Sequence, residues 1–574
     1  MKTALHRLIF VGLVAALVPA CGKSSDGGGV SYAVSAPIGA GGGTLTATGG
    51  PISGSAINVP AGALAGATTL TVDQGSNIST PNSVLVGPAV KISPDGTAFS
   101  VNADVTVPYD AASLPTPALA ANLIVYKRDD LTSAVTPIVP TSIDTVNQRL
   151  TVSVASLSTF QAGLATTPAG LSGTFNMSGK LEEVSLDSTS AGSATKRLWR
   201  GTLTFDGAGS ATWSTGNEAS ARLQIIVGGA ATYTESTGTG PGDTLAYELF
   251  ANNQVRFTGG TDTHIGQLSA DGNTLAVIFA SSDATLSARD LYVGVKAGTA
   301  MDDTSLTGTF NVTGRQDEVA APSASEGQVN LFSLTPGTLT FDGAGTMTWA
   351  AGQTADLARL QLNTGSDLAT LSGGTSATPG GGLLYAVGAT GQVTFDDSGT
   401  PQYGTLSADG NVLFFGLSST GATFSVKDFY AAVKQGSGMT DASLSGTYNV
   451  LGLGAELLSG SANNGTINLV AFHQGTVTFD GMGGMTWGAF SQERAGLSFN
   501  LVGSVSHSSS SSPIPAGDTW TYTMGATGQV AFVDSSAQAQ PGGILSPDGA
   551  VLVFSFGDNV AGSKARDLYV AIKQ

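Results

Sequence analysis

The sequence predicts an all-β chain, an N-terminal β-sandwich followed by three tandem antiparallel meander β-barrels. Short apolar segments alternate at period two, and 79 glycines and 22 prolines punctuate them. No stretch of useful length carries a helical period. One hairpin is also written three times, from Gly201 to Trp213, Gly337 to Trp349 and Gly475 to Trp487. In the middle copy Leu339 and Phe341 face one way and Thr338 and Thr340 the other, Asp342-Gly343 supplies a turn, and Met347 and Trp349 resume the apolar face. Copies this far apart are whole domains, too long for solenoid units that need neighbours to bury a core.

The chain has 574 residues, enough for about four domains at ~150 residues each. Charged residues make up 11% and the net charge is -18. That balance repels phosphates and argues against nucleic acid as a partner. Hydrophobic residues at 41%, arranged in alternation, argue for packed sheets over disorder.

Residues 1–20 read as a secretory signal: Lys2 and Arg7, an apolar run from Leu8 to Val18, then Ala20. The run is too short for a retained membrane span. It ends at Cys21, the only cysteine, in the context Leu17-Val18-Pro19-Ala20-Cys21. This resembles the lipobox of bacterial lipoproteins, with Val18 as the aliphatic residue, Pro19 departing from the usual pattern and Cys21 as the lipid-accepting thiol. The resemblance implies a membrane partner through acyl chains, more than one of which gives stable anchoring. Gly22 stands where an Asp would, by the same resemblance, favour the inner membrane, so the expected location is the outer membrane. Residues 21–30 read as a flexible tether.

Residues 31–165 form the first domain. Its strands are expected at Gly43–Thr46, Ala56–Pro60, Thr68–Val72, Ala89–Ser93, Ala103–Pro108, Leu123–Tyr126 and Leu150–Val154. The order of Val59-Pro60-Ala61-Gly62, Gly87-Pro88, Pro94-Asp95-Gly96, Val105 to Asp110 and Ser156 to Phe160 resembles the ZU-five domain, a β-sandwich module. Some members of that family cleave themselves at His-Phe-Ser. Here Ser156-Leu157-Ser158 stands in that place, without the histidine that would serve as base, so cleavage is not carried over and Ser158 is expected to be a surface or turn hydroxyl.

After Thr166-Thr167-Pro168-Ala169-Gly170, which reads as a linker, come three repeats at 168–299, 304–437 and 441–574. Each opens with Leu-Ser/Thr-Gly-Thr-Phe/Tyr-Asn at Leu171, Leu306 and Leu444. The shared hairpin follows, then a Gln-Val strand at Gln254, Gln392 and Gln529. A second Asp-Gly turn comes at Asp271, Asp409 and Asp548, and the closing strands start at Asp290, Asp428 and Asp567. A meander whose first strand pairs with its last makes an up-and-down barrel without open edges. The pattern loosely resembles the lipocalin and avidin superfamilies. The alternative is a six-bladed β-propeller formed by the repeats, since Leu-Ser-x-Asp-Gly resembles the blade motif of TolB-type propellers. Its Asp-Gly turns are spaced too widely for ordinary blades, and separate barrels, strung like beads, are the expectation.

Candidate chemistry is sparse. Asp206, Asp342 and Asp480 stand alone, whereas a calcium loop needs several close oxygen ligands, so a turn role is expected for them. Asp396-Asp397-Ser398-Gly399 is the densest acidic turn and has no match in the other repeats. Trp213, Trp349 and Trp487 either close the barrel cores or stack on a planar ligand, and their register with Met347 favours the core. Tyr292, Tyr430 and Tyr569 share one face of the closing strand with Asp290 and Lys296 or their counterparts, read as charges bracketing a two-sided strand. Glu182-Glu183 and Asp302-Asp303 read as solvated turn residues. His264, His473 and His507 have no metal-binding spacing, and no phosphate loop or nucleophile elbow is present. No cofactor or metal site is expected, and the chain reads as non-enzymatic.

The expected function is a surface-anchored scaffold or adhesion protein that presents repeated domains to a polysaccharide or a cell-surface protein, repetition adding avidity. The alternatives are a lipocalin-like carrier of small apolar ligands and an unrecognised hydrolase. An open apolar barrel would favour carriage; a filled barrel leaves outer faces and loops. The expected recognition loops are Ala231 to Asp243, Ser366 to Gly382 and Val505 to Gly517, which differ between copies.

Overall fold

A computed structural model describes residues 32–574 apart from 80–82, 115–119, 121–122, 131, 168–170, 241, 251–252, 259–262, 378–379 and 398–399. The signal segment, Cys21, the tether and Ser398-Gly399 therefore lie outside the described residues. Among those described, no helix is long and apolar enough to cross a membrane.

Residues 34–167 make two facing sheets. One contains Val34–Ile38, Thr68–Gln74, Val90–Ser93, Ile124–Arg128 and Thr159–Thr167, and the other Gly43–Thr46, Ala56–Val59, Ala98–Pro108 and Arg149–Ser156. Alternate residues Leu70, Val72, Val105, Val107, Leu150 and Val152 point between them and are fully buried. Ser158 lies between two strands, as a turn residue would, yet it is buried, not on the surface. Its carbonyl accepts from Ile92 N at 3.0 Å, while Leu157 plugs the core. Thr166 and Thr167 pair with Phe250 and Leu249, so this part of the expected linker is strand, and Phe250 packs into the sandwich core.

Each repeat is a closed eight-stranded antiparallel barrel. In the second, the order is Thr307–Ser323, Glu326–Asp342, Thr346–Trp349, Gly381–Val387, Gln392–Asp397, Thr400–Leu406, Val412–Thr420 and Phe424–Lys434. The last pairs with the first from Phe310↔Lys434 to Ala320↔Phe424 and closes the barrel. The first and third repeats close the same way, through Phe175↔Lys296 and Tyr448↔Lys573. The repeats do not form a propeller.

The repeated hairpin forms two walls of each barrel. Phe341 pairs with Met347 across the turn. Asp342 Oδ1 accepts from Ala344 N and Thr346 N at 2.7 and 2.8 Å, and Gly343 takes φ +73°, open to glycine at little cost. Tyr385 O–H donates to Leu306 O at 2.8 Å and accepts from Gly343 N, tying the opening Leu to that turn. Tyr247 and Tyr522 reach Leu171 O and Leu444 O in the other copies.

The first two strands of each repeat are long, and beyond the barrel they carry an extra hairpin that projects as a wing. The wing hairpins are Gly216–Ile226 with Ala231–Gly240, Thr354–Asn363 with Leu368–Ala377, and Phe490–Asn500 with Val505–Ile514. This corrects the expected loops. Ala231 to Gly240, Leu368 to Ala377 and Val505 to Ile514 are edge strands paired along their length on one side. Their Ser, Thr and Gly side chains are mostly exposed, so nothing apolar alternates to mark the strand.

The barrels are not beads on a string. They meet around a pseudo-threefold axis in two stacked cores, each built from all three repeats. Barrel walls supply Leu291 and Val293, Phe414 and Val433, and Val553 and Val570 to one core. Wing faces supply Leu223 and Ile225, Leu360 and Leu362, and Leu497 and Phe499 to the other. Three equivalent backbone hydrogen bonds close the ring: Ala231 N to Ala324 O at 2.7 Å, Ala369 N to Ala462 O at 2.6 Å and Val505 N to Thr189 O at 2.9 Å.

Candidate functional site

The signature residues of the repeat hold the ring together. Asn176 Nδ2 donates to Thr390 O of the second repeat at 2.6 Å, and Asn311 Nδ2 to Thr527 O of the third at 2.6 Å. Gln392 and Gln529 donate back to Asn176 and Asn311. At these two seams the Asn and Gln-Val motifs are two halves of one contact between neighbours, whereas Asn449 of the third repeat accepts from Gln574 Nε2 at 2.8 Å. A buried base on each closing strand docks on the preceding wing in the cycle. Arg289 reaches Glu493 O and Arg494 O, Lys427 reaches Glu235 Oε1 at 2.8 Å, and Arg566 reaches Asp356 O and Leu357 O at 2.9 and 3.0 Å.

The opposite face of the closing strand lies inside the barrel. Asp290, Asp428 and Asp567 are not solvated brackets: both strand faces are covered, one by the axis and one by the barrel core, and burial pushes each carboxyl up to about 7. Tyr430 and Tyr569 donate to Asp428 and Asp567 at 3.0 and 3.3 Å, and burial holds Tyr292, Tyr430 and Tyr569 well above an ordinary tyrosine. A glycine opposite each tyrosine makes room. A Cβ on Gly179, Gly314 or Gly452 would lie 2.5, 2.8 or 2.5 Å from the ring.

Trp213 is buried in the first barrel, 5.0 Å from Tyr292. Trp349 lies 5.0 Å from Tyr430, and Trp487 lies 6.0 Å from Tyr569 and 4.8 Å from Phe490. Aromatic rings at such spacings fill all three interiors. Asp206 and Asp480 hold their turns as Asp342 does, through backbone N–H groups at 2.7 to 2.9 Å. Those bonds lower the Asp206, Asp342 and Asp480 carboxyls. In the second turns Asp271, Asp409 and Asp548 accept from Ser269, Ser407 and Ser546 at 2.5 Å.

Glu182 is fully buried in mid-strand, which corrects its reading as a turn residue; Asp302 does cap a short turn at Thr304 N, 3.0 Å away. Glu182 belongs to a dry charge cluster between the two axial cores. Lys196 lies 2.7 Å from Glu182 and 3.2 Å from Asp317, Lys180 lies 3.3 Å from Asp317, and Arg315 bridges Glu182 at 2.9 Å and Asp317 at 3.0 Å. Burial opposes ionisation of Asp317, but Arg315, Lys180 and Lys196 outweigh it and hold that carboxyl well below its ordinary value. In the third repeat the equivalent positions are Leu453, Ala455 and Leu469. Among the described residues, no three His, Cys, Asp or Glu groups converge to hold a metal ion.

A cavity of about 880 Å³ lies at the seam between the first and second repeats and reaches Trp199 of the first barrel's aromatic cluster. Trp199, Arg200, Asn217 and Glu218 line one side, Gln402 and Tyr403 the other. Trp199 is 7% exposed and packs on Trp213 and Tyr292 at 5.5 Å. The Arg200 guanidinium sits 4.2 Å above the Tyr403 ring and donates to Gln392 at 3.1 Å. At the seam between the second and third repeats Gly542 abuts Pro336, a Cβ there meeting the proline ring at 3.1 Å. The difference begins in the second strand. Met177↔Gly201 continues in register to Ser178↔Arg200, whereas the later repeats bulge after Val312 and Val450. Sequence reasoning missed this cleft; its one signal was Trp199-Arg200-Gly201 standing one residue shorter than Leu334-Thr335-Pro336-Gly337.

No protein-family model and no curated protein matches the chain. Among solved structures it is similar to a double mutant of the vaccine antigen transferrin binding protein B from Haemophilus parasuis Hp5, at 11% identity over 87% of this chain and 96% of that one, with a TM-score of 0.21. Intact Ap-TbpB, with N and C lobes, matches at 11% identity over 87% and 97% with a TM-score of 0.19. The isotype 1 protein from serogroup B Neisseria meningitidis matches at 11% over 76% and 84% with a TM-score of 0.15. Likeness at these scores assigns this chain neither partner nor activity.

Proposed function

We propose that the chain is a non-catalytic binding scaffold, lipid-anchored through Cys21 at the outer membrane, that holds a ring of three fused barrels away from the bilayer on a tether and a sandwich. The packed barrel interiors carry this reading. Interlocked rings such as Phe415 on Tyr430 and Phe554 on Tyr569, 5.0 and 5.1 Å apart, occupy the space that an apolar cargo would need. Recognition then belongs to the outer faces and seams, with a polysaccharide or a cell-surface protein as partner. The seams differ in their side chains, so one rigid body presents unlike surfaces, not three copies of one weak site. Binding of the Cys21→Ser chain to whole cells and immobilised glycans tests the reading. Saturable retention supports it, while retention of small apolar ligands without any surface binding would replace it with a carrier.

A further inference from the structure

Resting on that reading, we propose that the cleft between the first and second repeats binds a saccharide carrying a carboxylate. Its volume of about 880 Å³ suits a short oligosaccharide. The walls offer the amide of Asn217 and the hydroxyls of Thr237, Ser419 and Thr420, with the edge of Trp199 and the ring of Tyr403 beside them. Hydroxyl and amide groups beside aromatic rings match the alternating polar and C–H faces of a sugar better than the aliphatic contacts of a peptide.

The charges select the acid. Both carboxylates in the cleft already face a cation: Glu235 accepts from Lys427 at 2.8 Å and from Thr420 at 2.6 Å, and Glu218 lies 3.8 Å from Arg197. Arg200 has no carboxylate within ion-pair distance among the described residues, and its Nη1 is buried without a hydrogen-bond partner. A guanidinium with a spare donor is matched by a carboxylate oxygen. The seam between the second and third repeats does not repeat this chemistry, because Pro336 stands near the place of Arg200 and Gly542 takes that of Tyr403.

The test is titration calorimetry of the full Cys21→Ser chain with a galacturonate tetrasaccharide and with the same tetrasaccharide carboxyl-reduced. Arg200→Met should weaken the acidic sugar by at least about tenfold and leave the reduced one unchanged. Trp199→Leu, which installs the residue of the second repeat, should weaken both. Unchanged melting temperatures confirm that each variant is folded. Equal binding of the two sugars, insensitivity to Arg200→Met, or preference for an acidic peptide over the uronate overturns the proposal. Cell binding without uronate binding removes the cleft assignment and leaves the scaffold standing; loss of both removes the scaffold as well.

Discussion

Replacing Arg315 with Leu should destabilise the protein, whereas replacing the whole charge cluster should not. Arg315 is fully buried and supplies donors to both Glu182 and Asp317. Its loss leaves two dry carboxylates sharing two lysines, a situation that costs about 3–5 kcal/mol when one partner of a buried pair is removed. The third repeat shows what the same positions tolerate, since Leu453, Ala455 and Leu469 pack there without charge. The fivefold variant Lys180→Leu, Glu182→Ala, Lys196→Leu, Arg315→Leu and Asp317→Ala copies that arrangement and leaves no buried charge to desolvate. It should lie within about 1 kcal/mol of the parent or be as much as about 4 kcal/mol more stable. Urea unfolding followed by tryptophan fluorescence measures both. A fivefold variant as destabilised as Arg315→Leu would refute the reasoning, because the cluster would then stabilise the axis outright.

Asp428, pushed up to about 7 by burial from an ordinary 3.8, binds its proton more tightly folded than unfolded. Its contribution to stability is complete below pH 3.8 and is lost as pH rises through 7. Asp428→Asn should therefore gain up to about 4 kcal/mol over the parent at pH 8 and little at pH 4, read from denaturant midpoints; no gain at pH 8 counts against a buried neutral acid. Asn311→Ala removes the bond to Thr527 O and the acceptor for Gln529, and should cost about 1–3 kcal/mol in the same assay. Gly452→Ala drives a methyl against the Tyr569 ring, 2.5 Å away, and should cost about 1–3 kcal/mol; a neutral result would show that the tyrosine points elsewhere.

The barrels were legible because each wall has one apolar face and marked turns. Leu339, Phe341 and Met347 alternate around Asp342-Gly343, and the closing strand returns at the end of every copy. What holds the barrels to each other was hidden in the same residues. Arg289-Asp290-Leu291-Tyr292 looks half-exposed because period two puts one charge on each face, yet its Arg and Leu face the axis and its Asp and Tyr the barrel. Period two assigns faces, but it does not say that both are covered. The wing edge Val505–Ile514 was illegible for the opposite reason. Its serines are mostly exposed and the strand is held by backbone pairing, and a strand that buries almost nothing leaves no pattern. The cleft depends on a register shift present in two repeats and missing from one, which shows in the sequence only as a residue fewer before Gly201.

The closure of the three barrels into one ring is tested most directly by a distance across the seam that joins the last repeat to the first. Thr189 and Val505 are hydrogen-bonded through their backbones at 2.9 Å although the whole second repeat lies between them in sequence. Nitroxide labels at Ser190→Cys and Ser506→Cys, both exposed, in the Cys21→Ser chain report that distance by pulsed electron resonance. Paired backbones lie about 5 Å apart, so a narrow distribution at the short end of the measurable range is expected. A broad distribution centred beyond about 35 Å, as independent compact domains in series would give, would contradict the ring.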